Sequence, residues 1–121
     1  MIDHLSLEVA DYERSKRFYA AVLAPLGYQL FMEGSSGAGF RKGFIPDFWV
    51  KQGEPGKSTH IAFACDDRAA VDAFHRAALA AGALDNGAPG LRPQYHPNYY
   101  GAFVSDPDGY NIEAVCHKPQ T

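Results

Sequence analysis

Two histidines and a glutamate carry the most pointed chemistry in this chain. Glu113 lies in the middle of an apolar run, Asn111-Ile112-Glu113-Ala114-Val115-Cys116, that follows the turn residues Asp106-Pro107-Asp108-Gly109. A mid-strand carboxylate either faces water or needs a positive partner, because burying it alone is costly. His4 and His60 sit near the starts of two similar stretches, Asp3-His4-Leu5-Ser6-Leu7 and Thr59-His60-Ile61-Ala62-Phe63. Strand alternation puts Leu5, Leu7 and Val9 on one face of the first stretch and His4, Ser6 and Glu8 on the other. The same parity sets Ile61, Phe63 and Cys65 against His60, and Ile112, Ala114 and Cys116 against Glu113. Two imidazoles and a carboxylate thus fall on the face away from the apolar side. That donor set suits a divalent metal such as Fe, Mn, Ni or Zn. Taken singly, each residue also has a plainer reading: a hydrogen-bonded or surface histidine, or a glutamate facing solvent.

The elements that must position these residues follow from pattern. Residues 3–9 alternate as a half-buried strand, and Asp11 caps a helix whose Phe18, Tyr19, Val22 and Leu23 recur at helical spacing. Pro25 and Gly27 end that helix. Strands are expected over 28–32, 39–44 and 47–51, with a turn at 34–37 and a polar link over 53–58. The pattern then restarts: a strand over 59–65, a helix opened by Asp66-Asp67 with Val71, Phe74, Ala78 and Leu79 inward, and Gly82 as its stop. Strands are expected within 83–93, over 99–105, and after the Asp106–Gly109 turn. His4 and His60 are 56 positions apart, as are Asp11 and Asp67, and Phe18 and Phe74. Such a repeat is a signal about the whole fold. It divides a single domain, residues 1–121, into a module of about 1–53 and a second of about 58–117, each strand–helix–strand–strand–strand.

Composition narrows the class. With 121 residues, 46% hydrophobic and 21% charged, the chain suits one globular domain. A formal charge of −3 gives no basic surface for nucleic acid. No apolar run approaches the roughly 20 residues of a membrane span. Met1-Ile2-Asp3-His4 enters a strand pattern at once, which leaves no room for a signal peptide and leads to the expectation of a cytoplasmic protein. Cys65 and Cys116 read as buried free thiols.

The chain resembles the vicinal oxygen chelate superfamily, which includes glyoxalase I, extradiol dioxygenases, and bleomycin- and fosfomycin-resistance proteins. The resemblance is carried by Asp3-His4-Leu5-Ser6-Leu7-Glu8-Val9, by Asp11 with Ser15, Phe18 and Tyr19, by Thr59–Phe63, and by Asp106–Glu113. It implies an α+β fold in which two βαβββ modules form a cupped mixed sheet. It implies that His4, His60 and Glu113 occupy the metal-ligand positions, and that the chain forms a homodimer around a small-molecule substrate. In a dimer, His4 could meet His60 and Glu113 of the partner chain. One departure matters: members with four ligands take another side chain from the fourth strand, where this chain offers Trp49, whose indole N–H cannot ligate a metal.

Further pocket candidates are Trp49 as an apolar wall, the rim residues Tyr95, His96, Tyr99 and Tyr100, and Arg41 as a receptor for an anionic group. Glu113, His96 and Tyr99 are candidate catalytic groups, with Glu8 as a supporting carboxylate; His75 and His117 read as solvated bystanders. The resulting expectation is a metal-dependent enzyme of glyoxalase or dioxygenase type that chelates a substrate through adjacent oxygens, with lyase, isomerase or dioxygenase chemistry. The alternative is a sequestering protein that binds a drug or other small molecule without catalysis, as bleomycin-resistance proteins do. If parity has selected the right carboxylate, Glu113→Gln lowers divalent-metal affinity far more than Glu8→Gln; a calorimetric metal titration of both variants provides the comparison.

Overall fold

A computed structural model describes residues 2–56 and 59–120. The chain runs β1 (Leu5–Val9), α1 (Tyr12–Leu23), a 3-10 turn (Ala24–Leu26), β2 (Gln29–Glu33), β3 (Gly37–Arg41) and β4 (Phe48–Gln52). It then repeats this order as β5 (His60–Ala64), α2 (Arg68–Ala80), β6 (Leu84–Leu91), β7 (Tyr100–Ser105) and β8 (Asn111–Cys116). The strands form two four-stranded mixed sheets, ordered β1-β4-β3-β2 and β5-β8-β7-β6. In each, the first strand of the half pairs parallel with its last strand. The α+β architecture of two similar modules is therefore as expected. Of the polar link, Lys57 and Ser58 lie outside the described residues.

Local chemistry accounts for the helices. Asp11 accepts a hydrogen bond from the Arg14 N–H, and Asp67 accepts one from the Ala70 N–H, so each helix starts on a side-chain cap. The inner face of α1 buries Tyr12, Ser15, Phe18, Tyr19, Val22 and Leu23. On α2 the buried set is Val71, Phe74, His75 and Ala78. Leu79, expected to face inward, is 42% exposed. His75, expected to be solvated, takes the inward place, because its Nε2 finds the Asp85 carboxylate at 2.9 Å. A partnered imidazole can be buried where an unpartnered one would cost free energy.

The helix-facing sides of both sheets feed one core, in which Phe48 of β4 meets Phe63 of β5 at 5.3 Å between ring centroids. Each fully buried large side chain here contributes about 1.5–3 kcal/mol. Cys65 and Cys116 are free and buried, and burial pushes the Cys65 thiol up to about 11. One strand departs from expectation: β3 spans Gly37–Arg41 instead of 39–44, whereas β6 lies within 83–93 as expected, although its pairing with β7 shifts register around residues 85–87 and 87–90. Beyond β3, Gly43 and Pro46 interrupt the ladder, and the chain returns through Asp47 N–H donating to Phe40 O.

The turn before β8 clasps the two halves. Gly109 takes φ 88°, a conformation that favours glycine. Asp106 is buried and accepts from the backbone N–H groups of Asp108 and Tyr110 and from the Tyr19 hydroxyl of α1 at 2.5 Å. Asp108 accepts from the Ala10 N–H, and the Tyr110 hydroxyl donates to Glu8 O at 2.7 Å. Burial pushes the Asp106 carboxyl up, although its hydrogen bonds pull the other way. Burial, followed by the nearby Asp106 charge, raises the Tyr19 phenol well above its ordinary value, so it remains a donor. Tyr19→Phe leaves one Asp106 oxygen unsatisfied and should cost about 1–3 kcal/mol of stability, measurable by urea denaturation.

Candidate metal centre

Register places the site. Ser6 pairs with Trp49 across β1 and β4, and Ala62 pairs with Glu113 across β5 and β8. Trp49 and Glu113 are therefore structural equivalents in the two modules. Across from Trp49 stands Gly39, and across from Glu113 stands Phe103. The Trp49 ring lies so close over Gly39 that an added Cβ there would sit 2.8 Å from it. The fourth-strand position of the first module is thus an indole wall with no donor to a metal.

In the second module Glu113 is only 1% exposed, yet both carboxylate oxygens have partners. Oε1 lies 3.0 Å from His60 Nε2, and Oε2 accepts a short hydrogen bond from the Tyr99 hydroxyl. Gly101 makes room for this arrangement, since an added Cβ would stand 3.1 Å from both Glu113 Oε2 and the Tyr99 ring. Burial, then the hydrogen bond to Glu113 and its charge, raise the Tyr99 phenol well above the usual tyrosine value. His60 stacks against Phe103, with ring centroids 6.0 Å apart, and its Nδ1 lies 3.2 Å from Asn111 O. A carbonyl oxygen only accepts, so Nδ1 carries the hydrogen. In a neutral ring, Nε2 then aims a lone pair at a carboxylate oxygen. Two electron-pair donors at 3.0 Å need a proton or a cation between them.

With a proton the contact is a direct hydrogen bond or ion pair, and the same spacing would also suit a divalent cation. Two donor atoms about 2.1 Å from one ion and at right angles stand about 3 Å apart. An Nδ1–H bonded to a backbone carbonyl is also the usual support for an Nε2 metal ligand. His4 does not join this pair. It precedes β1, is exposed, and bonds to Asp3 at 2.7 Å. Among the described residues no three His, Cys, Asp or Glu side chains gather as a metal-holding group. His60 opens β5, whereas His4 lies one residue before β1, and the two strands belong to separate sheets.

The softer candidates divide. Tyr99 is at the site. Tyr95 packs on Tyr99 with its ring tilted, 4.8 Å between centroids, but is 60% exposed. His96 Nδ1 accepts from the Asn98 N–H, so its Nε2–H donates to His117 Nδ1 at 2.8 Å. His117, expected to stand apart, is therefore one hydrogen bond from the rim. Tyr100 does not line the pocket: its hydroxyl donates to Asp72 of α2 at 2.6 Å, because in β7 it alternates with Gly101 and Phe103 and so faces the helix. Arg41 lies in the first sheet, donates to Phe44 O and packs over Phe31. Glu8 and His60 line one groove between β1 and β5. Sequence reasoning passed over Phe103 and Arg92; Phe103 had a signal, since it shares the parity of a strand pairing with β8.

Two βαβββ modules, each with a parallel pairing of first and last strands and an inward-packed helix, define the class of fold. The profile described as Glyoxalase/Bleomycin resistance protein/Dioxygenase superfamily matches residues 1–114, and the chain belongs to that superfamily. The uncharacterized protein YqjT of Bacillus subtilis (strain 168) is 28% identical over 131 residues, covering 93% of this chain and 96% of that protein. A glyoxalase/bleomycin resistance protein from Albidiferax ferrireducens T118, known as a crystal structure, is 30% identical with a TM-score of 0.81, covering 97% of this chain and 98% of that one. TioX from Micromonospora sp. ML1 shares the fold at 18% identity, with a TM-score of 0.70 over 98% of this chain and 97% of its own.

The Tyr99–Glu113 contact has a spectroscopic consequence. A phenolate beside a carboxylate is disfavoured, so removing the Glu113 charge should let one tyrosine ionise at lower pH. Ultraviolet titration of Glu113→Gln against the parent chain should show that shift; identical curves would place Tyr99 elsewhere.

Proposed function

We propose that this protein is a metal-dependent enzyme of glyoxalase or dioxygenase type, in which His60 and Glu113 of one chain and His4 of a second copy hold a divalent cation. Fe, Mn, Ni and Zn all suit this nitrogen and oxygen donor set. The observation that carries the reading is the 3.0 Å approach of His60 Nε2 to Glu113 Oε1, with Nδ1 committed to Asn111 O. In this reading a homodimer supplies the third donor, because His4 lies apart from the His60–Glu113 pair, bonded to Asp3, and no three such side chains gather among the described residues of one chain.

When bound, the cation would chelate a small substrate through two adjacent oxygens and polarise them as a Lewis acid. The chain's own residues have separate tasks. Tyr99 holds Glu113 Oε2, which leaves Oε1 turned to the His60 side, and its raised phenol keeps a proton at Oη. Asn111 O fixes the His60 ring, and Phe103 closes one side of it against water. Reactions consistent with this set are isomerisation, lyase chemistry and dioxygenation. A cytoplasmic location belongs to the same proposal. No helix among the described residues is long and apolar enough to cross a membrane.

A sequestering protein without catalysis is the second reading. It is favoured by the gathering of only two of the three donors within one chain. Metal titration separates the two: the enzyme reading requires about one divalent ion per chain, lost in His60→Ala and in His4→Ala. Mixing those two variants then tests the shared site. Exchanged dimers contain one intact site out of two, so an equal mixture should regain about a quarter of the parent metal content. No recovery after exchange of subunits would place all three ligands in one chain.

A further inference from the structure

Glu113 and His60 leave a second charged group on the same face unaccounted for. Glu113 pairs with Phe103 across β8 and β7, and Phe103 pairs with Gly87 across β7 and β6. Cross-strand partners share a face. A row of positions therefore runs from Glu113 over Phe103 to Gly87. Gly87 has no side chain, and the space above it is filled from elsewhere: an added Cβ would stand 3.2 Å from Arg92 Nη2 and 3.0 Å from the Phe103 ring. A Cβ at Gly90 would likewise stand 3.2 Å from Arg92 Nη1. Two glycines of β6 thus form the notch in which the guanidinium rests.

That guanidinium is fixed but not neutralised. Nη1 donates to Gly90 O and Nη2 to Ala88 O, both at 2.8 Å, and Cζ lies 5.5 Å from the Phe103 ring centroid. Of the five N–H groups of a guanidinium, these bonds use two. No described carboxylate stands within salt-bridge distance of it, although eight such contacts occur elsewhere. A half-buried, oriented cation without a counter-ion beside an aromatic ring is a ready receptor for a carboxylate.

We propose that Arg92 is a specificity-determining residue that binds the carboxylate of an organic anion whose apolar body lies across Phe103. This rests on the site assignment made above only in calling that anion the substrate. β6 and β8 are two strand spacings apart, about 10 Å. The ligand class is therefore an organic carboxylate with an apolar middle, its far end carrying the adjacent oxygens that reach the His60–Glu113 pair.

The test uses the full chain without metal and 4-phenylbutyrate as the probe, with the neutral 4-phenylbutyramide as its control. In a 1H–15N titration, the anion should shift the Arg92 Nε–H and the amides of Gly87, Gly90 and Phe103. The amide should bind about tenfold more weakly, the loss of one charge-assisted contact. Arg92→Gln should abolish the preference for the anion, and Arg92→Lys should retain part of it; dispersed spectra report that both are folded. Equal binding of anion and amide, an unchanged preference in Arg92→Gln, or no shift at these four residues overturns the proposal. Divalent-metal titration of the same samples keeps the two readings apart. Failure of the parent chain to bind metal removes the enzyme reading and leaves the anion result standing. Metal binding without anion preference removes only the role of Arg92.

Discussion

The burial of Glu113 is the constraint around which the second module is built. A carboxylate left alone at that depth would cost several kcal/mol. Both of its oxygens are instead engaged, one by Tyr99 and one facing His60. Each partner depends on a further feature: Tyr99 on the absence of a side chain at Gly101, and His60 on the Asn111 carbonyl and the Phe103 ring. The same lack of side chains recurs at Gly87 and Gly90, where it admits Arg92. The face that holds Glu113 is therefore assembled from large groups lying over glycines.

The turn that leads into Glu113 is also the joint between the modules. Asp106, Asp108 and Tyr110 reach Tyr19, Ala10 and Glu8 of the first half. These contacts set the start of β8 against β1 and α1, and thereby the position of Glu113 along its strand. The two modules differ at one informative pair. Trp49 and Glu113 hold equivalent places, but the first is an indole and the second a carboxylate. The repeat thus carries one sheet with a buried carboxylate at this position and one with an aromatic ring.

Much of this is legible in the order of residues. The succession of elements, both helix caps and the equivalence of His4 with His60 follow from spacing alone. So does the face of Glu113, since parity is a property of neighbouring residues. Errors arise where a distant partner overrides the local pattern. His75 reads as a solvated helix residue, but Asp85 stands beside it and permits its burial. Tyr99 and Tyr100 are indistinguishable in a string of aromatic residues, yet the strand turns one to Glu113 and the other to Asp72. Arg41 reads as suited to an anion but is spent on Phe31 and Phe44, whereas Arg92, which no local pattern singles out, rests beside Phe103.

By itself the sequence determined the α+β order, the doubled module and the strand faces on which His60 and Glu113 stand. Those features depend on periodicity, capping and turn chemistry, which act over a few residues. Only the tertiary structure decided that His60 meets Glu113 at 3.0 Å while His4 stays apart, and that a guanidinium fills the space over Gly87. Those facts depend on which strands become neighbours and which sheet each joins. His60 and Glu113 are 53 residues apart, and nothing within reach of either one locally brings them together. The parallel pairing of β5 with β8 does.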